Sequence, residues 1–130
     1  MKHILYIAIG GMLGALSRYF LSKFITQNVN DIFPWGTFVI NVTGCFFIGL
    51  FYIAFDRIIT GPDLRSFLTI GFLGAYTTFS TYSLETINLL REGEIRLGLL
   101  NIFLNNFVGL ILVIGGIYTA RIIFKILKIG

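Results

Sequence analysis

The sequence predicts an all-α integral membrane protein, one domain over residues 1–130 with four transmembrane helices and a break in the third. Three observations carry that expectation. The 130 residues are 56% hydrophobic and 12% charged, which leaves too little polar surface to cover a water-soluble globule. Apolar segments at residues 4–24, 35–55, 66–90 and 98–124 alternate with short polar stretches, and each is long enough for a helix through a hydrocarbon core about 30 Å thick. Inside the third segment lies Thr77-Thr78-Phe79-Ser80-Thr81-Tyr82-Ser83, a hydroxyl cluster that lipid would penalise on the outside of a helix.

The first helix follows Lys2-His3, and its apolar run imitates a signal peptide with Ala15-Leu16-Ser17 as a loose cleavage site; we expect it to be retained. Gly10-Gly11-x-x-Gly14 suits close helix packing. His3, without a second His or a carboxylate nearby in sequence, reads as an interfacial residue and not a metal ligand. In the second helix Thr37 and Asn41 lie one turn apart on a single face. The Asn41 amide has two hydrogens to give, either to a neighbouring helix or to a species in a polar path. Gly44 and Gly49 suit packing, and Cys45, the lone cysteine, excludes a disulfide and reads as a small hydrophobe.

In the third segment Gly71 and Gly74 precede the hydroxyl cluster, a pattern that permits a helix break. An isolated Ser or Thr in such a helix bonds the carbonyl four residues back. A cluster this dense points instead to a polar path. Carbonyls freed at a break suit a small hard cation, and N–H groups where the helix resumes suit an anion. Phe79 and Tyr82, three apart, share a face and can present positive ring edges. The fourth helix carries Gly109, Gly115 and Gly116 for packing. The connecting stretches, 26–34, 56–65 with its Gly61-Pro62-Asp63 turn, and 91–96, are short, so both chain ends lie on one side of the membrane.

The net charge of +4 comes from Lys and Arg scattered over helix ends, which argues against nucleic acid and for lipid headgroups as partners. Lys2, Arg57, Arg65, Arg121, Lys125 and Lys128 face one side; Arg18, Lys23, Arg91 and Arg96 face the other. So small a bias sets orientation weakly. Two oppositely oriented copies can then pair about an axis in the membrane plane, which predicts an antiparallel, dual-topology homodimer. No nucleophile with its base, metal cluster or phosphate loop is present in a plausible arrangement, so an enzyme is not expected.

The phrase Gly74-x-x-Thr77-Thr78-Phe79-Ser80-Thr81-Tyr82-Ser83-x-Glu85, with Gly36-Thr37-x-x-x-Asn41 before it and Gly10-Gly11-x-x-Gly14-x-x-x-Arg18 at the start, resembles the Fluc/CrcB family of fluoride channels over nearly the whole chain. The resemblance implies a dual-topology dimer in the cell inner membrane that carries fluoride passively out of the cell through two pores at the dimer interface. It implies a structural sodium ion at the dimer centre, held by the main-chain carbonyls of Gly74 and Thr77. Asn41 and Thr37 would line the pore, Phe79 and Tyr82 would turn ring edges to fluoride, and Ser80 and Thr81 would give hydroxyl donors. Arg18 would stand at a vestibule, where snorkelling to headgroups is the competing reading. Glu85 would lie near a pore end; from the residues alone it reads as the partner of an arginine. Fluoride is small and tightly hydrated, so a narrow dry path needs many donors to replace its water, and chloride is excluded mainly by size.

Two features depart from the family's pattern. Tyr82 stands where Phe is commoner, and its phenol adds a donor that assists fluoride or occludes the path. After Asn106 the positions one and two turns on are Leu110 and Ile114, so a polar ladder is expected to be incomplete there. That motivates an alternative, a non-transporting or half-active subunit of a heterodimeric channel. A proton-coupled exporter of the small multidrug resistance type is a further alternative. It needs a membrane carboxylate in the first helix, and residues 4–24 contain no Asp or Glu.

Overall fold

The computed structural model describes residues 2–58 and 61–128; positions 59 and 60 of the polar stretch at 56–65 lie outside the described residues. All its regular structure there is helical, in the order α1 (Lys2–Asn28), α2 (Trp35–Arg57), α3 (residues 62–76), α4 (Phe79–Arg91) and α5 (Ile95–Ile126). The third helix starts as an α-turn at Pro62–Ser66, widens into a π-helix at Phe67–Leu73 and closes at Gly74–Tyr76. A second π-helical stretch, Leu104–Val108, sits within α5.

Local chemistry sets these limits. Asn28 Nδ2 closes α1 by donating to the Phe24 carbonyl at 2.7 Å. Ahead of α2, Asp31 accepts from the Trp35 indole N–H at 2.9 Å and the Phe33 amide at 3.4 Å. The indole bond first, then the backbone one, holds the Asp31 carboxyl below its ordinary value. Phe38 packs edge to face with Phe33 and Trp35, whose own rings are tilted to each other, and Trp35 is the kind of amphipathic aromatic enriched at a headgroup interface. Pro62 opens α3, where its missing N–H costs nothing, and Gly93 turns the chain into α5 with φ +84°.

Helices α1, α2 and α5 are long and apolar enough to cross a membrane. The third apolar segment, 66–90, in which a break is expected, divides between α3 and α4. Extended backbone at Thr77 (ψ 156°) and Thr78 (φ −146°, ψ 113°) separates α3 from α4, and neither piece reaches the roughly 20 residues of a full crossing.

Two helix pairs dominate the packing, α2 with α5 and α1 with α3. Between α2 and α5, a Cβ at Gly49 would collide with the Val113 carbonyl and one at Gly116 with that of Phe46; Ile53, Ala54, Ala120 and Phe124 form the core beside them. Gly10 and Gly14 of α1 meet the Phe67 and Phe72 carbonyls of α3 just as closely, while Gly11 and Gly115 have room to spare. Contact of this kind is what binds helices in lipid, where burial of apolar surface gives no advantage.

His3, expected as an interfacial residue, has partners that are distant in sequence. Its Nδ1 lies 2.8 Å from Asp63 Oδ1 and its Nε2 3.0 Å from Ser66 Oγ, tying the start of α1 to the first turn of α3. The exterior is apolar, with Ile4, Phe20, Phe24, Leu110 and Ile126 among its large exposed side chains, as a lipid-facing surface requires.

Candidate functional site

The extended residue Thr78 creates the central problem of this fold, because its main-chain N–H, outside a helix, needs a partner where water is scarce. Asn41 of α2 supplies it and also bonds the carbonyl. Its Oδ1 accepts from the Thr78 amide at 2.9 Å, and its Nδ2 donates to the Thr78 carbonyl at 3.2 Å and to Asn105 Oδ1 of α5 at 3.0 Å.

An amide N–H can only donate, so Thr78 fixes which end of Asn41 is oxygen, and that assignment propagates. Asn105 must then turn its nitrogen to Asn101, donating to Oδ1 at 2.8 Å and to the main-chain oxygen at 3.1 Å. Asn101, 0% exposed, donates to Thr86 Oγ1 at 2.9 Å, and Thr86 donates to the Tyr82 carbonyl at 2.8 Å. One ordered chain of donors thus links the extended segment to α2, α5 and α4.

Sequence reasoning missed Asn101, Asn105 and Thr86. The signal was available in Asn101-x-x-x-Asn105-Asn106, amides one turn apart within an apolar run. After Asn106, where the ladder is expected to be incomplete, Leu110 and Ile114 are exposed on the surface of the single chain.

The hydroxyl cluster divides. Thr77 and Ser83 donate to the carbonyls four residues back, Leu73 at 3.0 Å and Phe79 at 2.8 Å, the local bonding that isolated Ser and Thr adopt. Thr78 caps α4, its Oγ1 accepting from the Thr81 amide at 3.2 Å and donating to Thr81 Oγ1 at 2.9 Å. Ser80 and Thr81 are exposed on the surface of the chain. So is Phe79, at 78%. Phe79 and Tyr82 share a face as expected, their ring centroids 5.5 Å apart; Tyr82 is buried, and its phenol oxygen accepts from Asn106 Nδ2 at 3.1 Å.

Two cavities meet at Thr78. One of about 370 Å³ is bordered by Asn41, Gly74, Thr77, Phe79, Tyr82 and Asn106, with Cys45 in its wall. The other, about 460 Å³, is bordered by Arg18, Lys23, Thr37 and Thr81. Thr37 and Asn41, expected on one face, therefore open onto different cavities. Arg18 and Lys23 have no carboxylate within salt-bridge distance among the described residues, so the second cavity has two cationic side chains on its border. Ser80 and Glu85 border neither. The arginine expected beside Glu85 is replaced by Thr37, whose Oγ1 donates to Oε1 at 2.8 Å; Oε2 is buried without a partner.

The carbonyls of Gly74 and Thr77 fit a small hard cation. In a continuous helix they would accept from the amides of Thr78 and Thr81, but those go to Asn41 Oδ1 and Thr78 Oγ1. Two oxygens thereby lose their helical donors, and oxygen is the ligand that hard cations take. Among the described residues no group of His, Cys, Asp and Glu side chains could hold a metal, so a cation here would rest on the main chain.

A family model described as "CrcB-like protein, Camphor Resistance (CrcB)" matches residues 5–117. The chain is 45% identical to "Fluoride-specific ion channel FluC 1" of Moorella thermoacetica over 119 residues, 91% of this chain and 85% of that protein. It is 45% identical to "Fluoride-specific ion channel FluC" of Salinibacter ruber over 113 residues, 87% of this chain and 85% of the relative. With the FluC of Desulforapulum autotrophicum it shares 41% identity over 125 residues, 95% of this chain and 100% of the relative.

Proposed function

Because the chain belongs to the CrcB family, a family of channels and not of enzymes, we propose that it is a fluoride-selective channel, letting fluoride leave the cell passively across the inner membrane. The observation that carries this reading is the identity of 41–45% with fluoride-specific channels over nearly the full chain. The geometry supports it. Anions gather in the cavity bordered by Arg18 and Lys23, meet the Thr81 hydroxyl, and pass Thr78 into the chamber of Asn41, Phe79 and Tyr82, while Thr37, whose proton goes to Glu85, borders the path. Each stage offers partial positive charge with no fixed cation in the chamber wall, which lets an ion bind and still leave.

A second copy in antiparallel orientation covers the face that exposes Gly74, Phe79, Ser80 and Thr81. It brings the Ser80 and Thr81 hydroxyls and the Phe79 ring edge out of lipid and into a dimeric pore. At the dimer centre the Gly74 and Thr77 carbonyls hold a structural sodium ion, whose charge replaces their lost N–H donors. Glu85 and Thr37 mark one end of the path.

The reading is tested by growth in fluoride of bacteria that lack their own exporter. Expression of the chain restores growth and expression of Phe79→Ile does not. Absence of rescue by correctly inserted wild-type protein contradicts the proposal.

A further inference from the structure

This inference rests on the channel reading and deepens it. An anion that sheds water needs hydrogens in return, so what matters is which donors in the chamber are not already given to the protein. Most are committed. Both hydrogens of Asn41 Nδ2 go to the Thr78 carbonyl and Asn105 Oδ1, and the hydroxyl protons of Thr77 and Thr78 go to the Leu73 carbonyl and Thr81 Oγ1. Asn106 Nδ2 serves the Ile102 carbonyl at 2.7 Å and the Tyr82 phenol oxygen at 3.1 Å.

Tyr82 is the exception. A carbonyl oxygen cannot donate, so Ile102 fixes the Asn106 atom at both contacts as nitrogen, and the phenol oxygen is therefore an acceptor. Its own proton is left without an acceptor among the described residues. The ring is buried and held against Phe79, so the O–H has little freedom. The only other uncommitted side-chain hydrogen in the chamber wall is the Cys45 thiol, a weak donor. We propose that the Tyr82 phenol O–H is the chamber's main hydrogen-bond donor to fluoride, and that Asn106 is the positioning residue that aims it. Accepting from Asn106 also polarises the phenol and strengthens it as a donor.

The test is fluoride efflux from liposomes containing the purified chain, measured against fluoride concentration for wild type, Tyr82→Phe, Asn106→Leu and the double variant. Tyr82→Phe keeps the ring, and loss of one charge-assisted bond raises the half-saturating fluoride concentration about tenfold. Asn106→Leu raises it by less, and adds nothing once the phenol is gone. An unchanged half-saturation in Tyr82→Phe overturns the proposal, as does a full, independent effect of Asn106→Leu in the Tyr82→Phe background. Fluoride-19 NMR line broadening by the detergent-solubilised protein separates this test from that of the channel itself. If wild type moves no fluoride, the channel reading fails; broadening that Tyr82→Phe removes still supports the phenol as donor, and equal broadening by both proteins overturns it.

Discussion

Asn41 holds both main-chain groups of Thr78 and the Asn105 amide with one carboxamide. Its loss leaves the Thr78 amide and the Asn105 carboxamide oxygen without these partners, and Asn41→Ala destabilises the protein by about 1–3 kcal/mol per orphaned group, read as a lower melting temperature in detergent. Asn41→Asp impairs fluoride flux more than Asn41→Ser, because a fixed negative charge repels the permeant ion; equal flux from the two removes Asn41 from the path. Phe79→Ile keeps bulk but removes the ring edge, so it abolishes most flux while the protein elutes at the wild-type size, and unchanged flux refutes the role of Phe79. The spacing of Thr37 from Asn41 and of Phe79 from Tyr82 was legible in the sequence, since neighbours on one helix follow its period. Partners from other helices were not. Thr78 lies 37 positions from Asn41, and Asp63 lies 60 from His3, separations that leave no periodic trace.

At the scale of elements, glycines record where backbones touch, and the structure separates those that matter from those that do not. Gly49→Ala overpacks the α2–α5 contact against Val113 and costs about 1–3 kcal/mol. Gly115→Ala, on the same helix pair but with nothing within 4 Å of the new methyl, leaves the melting temperature unchanged or slightly raised through helix propensity. Equal melting of the two variants contradicts this packing. Apolar runs placed α1, α2 and α5 to within a few residues of their ends, because length and hydropathy alone decide what can span a membrane. In the third segment the glycines and the hydroxyl cluster were legible as a place where a helix can break. What holds the extended residue there, a cap on Thr78 and a clamp from Asn41, is tertiary. The π-helical stretches at 67–73 and 104–108 leave no mark in composition.

For the whole molecule, the proposed sodium ion on Gly74 and Thr77 joins one chain to a second copy. Exchanging sodium for a bulky organic cation weakens the dimer or its flux, and Thr77→Val, which keeps the carbonyl, does less harm; assembly and activity indifferent to sodium contradict that centre. The most direct test of the central claim is efflux from liposomes containing only this chain, loaded with equal fluoride and chloride at a clamped membrane potential and matched pH. The account predicts rapid loss of fluoride with chloride retained and no dependence on a proton gradient. No fluoride flux from a well-folded protein, comparable chloride flux, or flux that requires a proton gradient would contradict it.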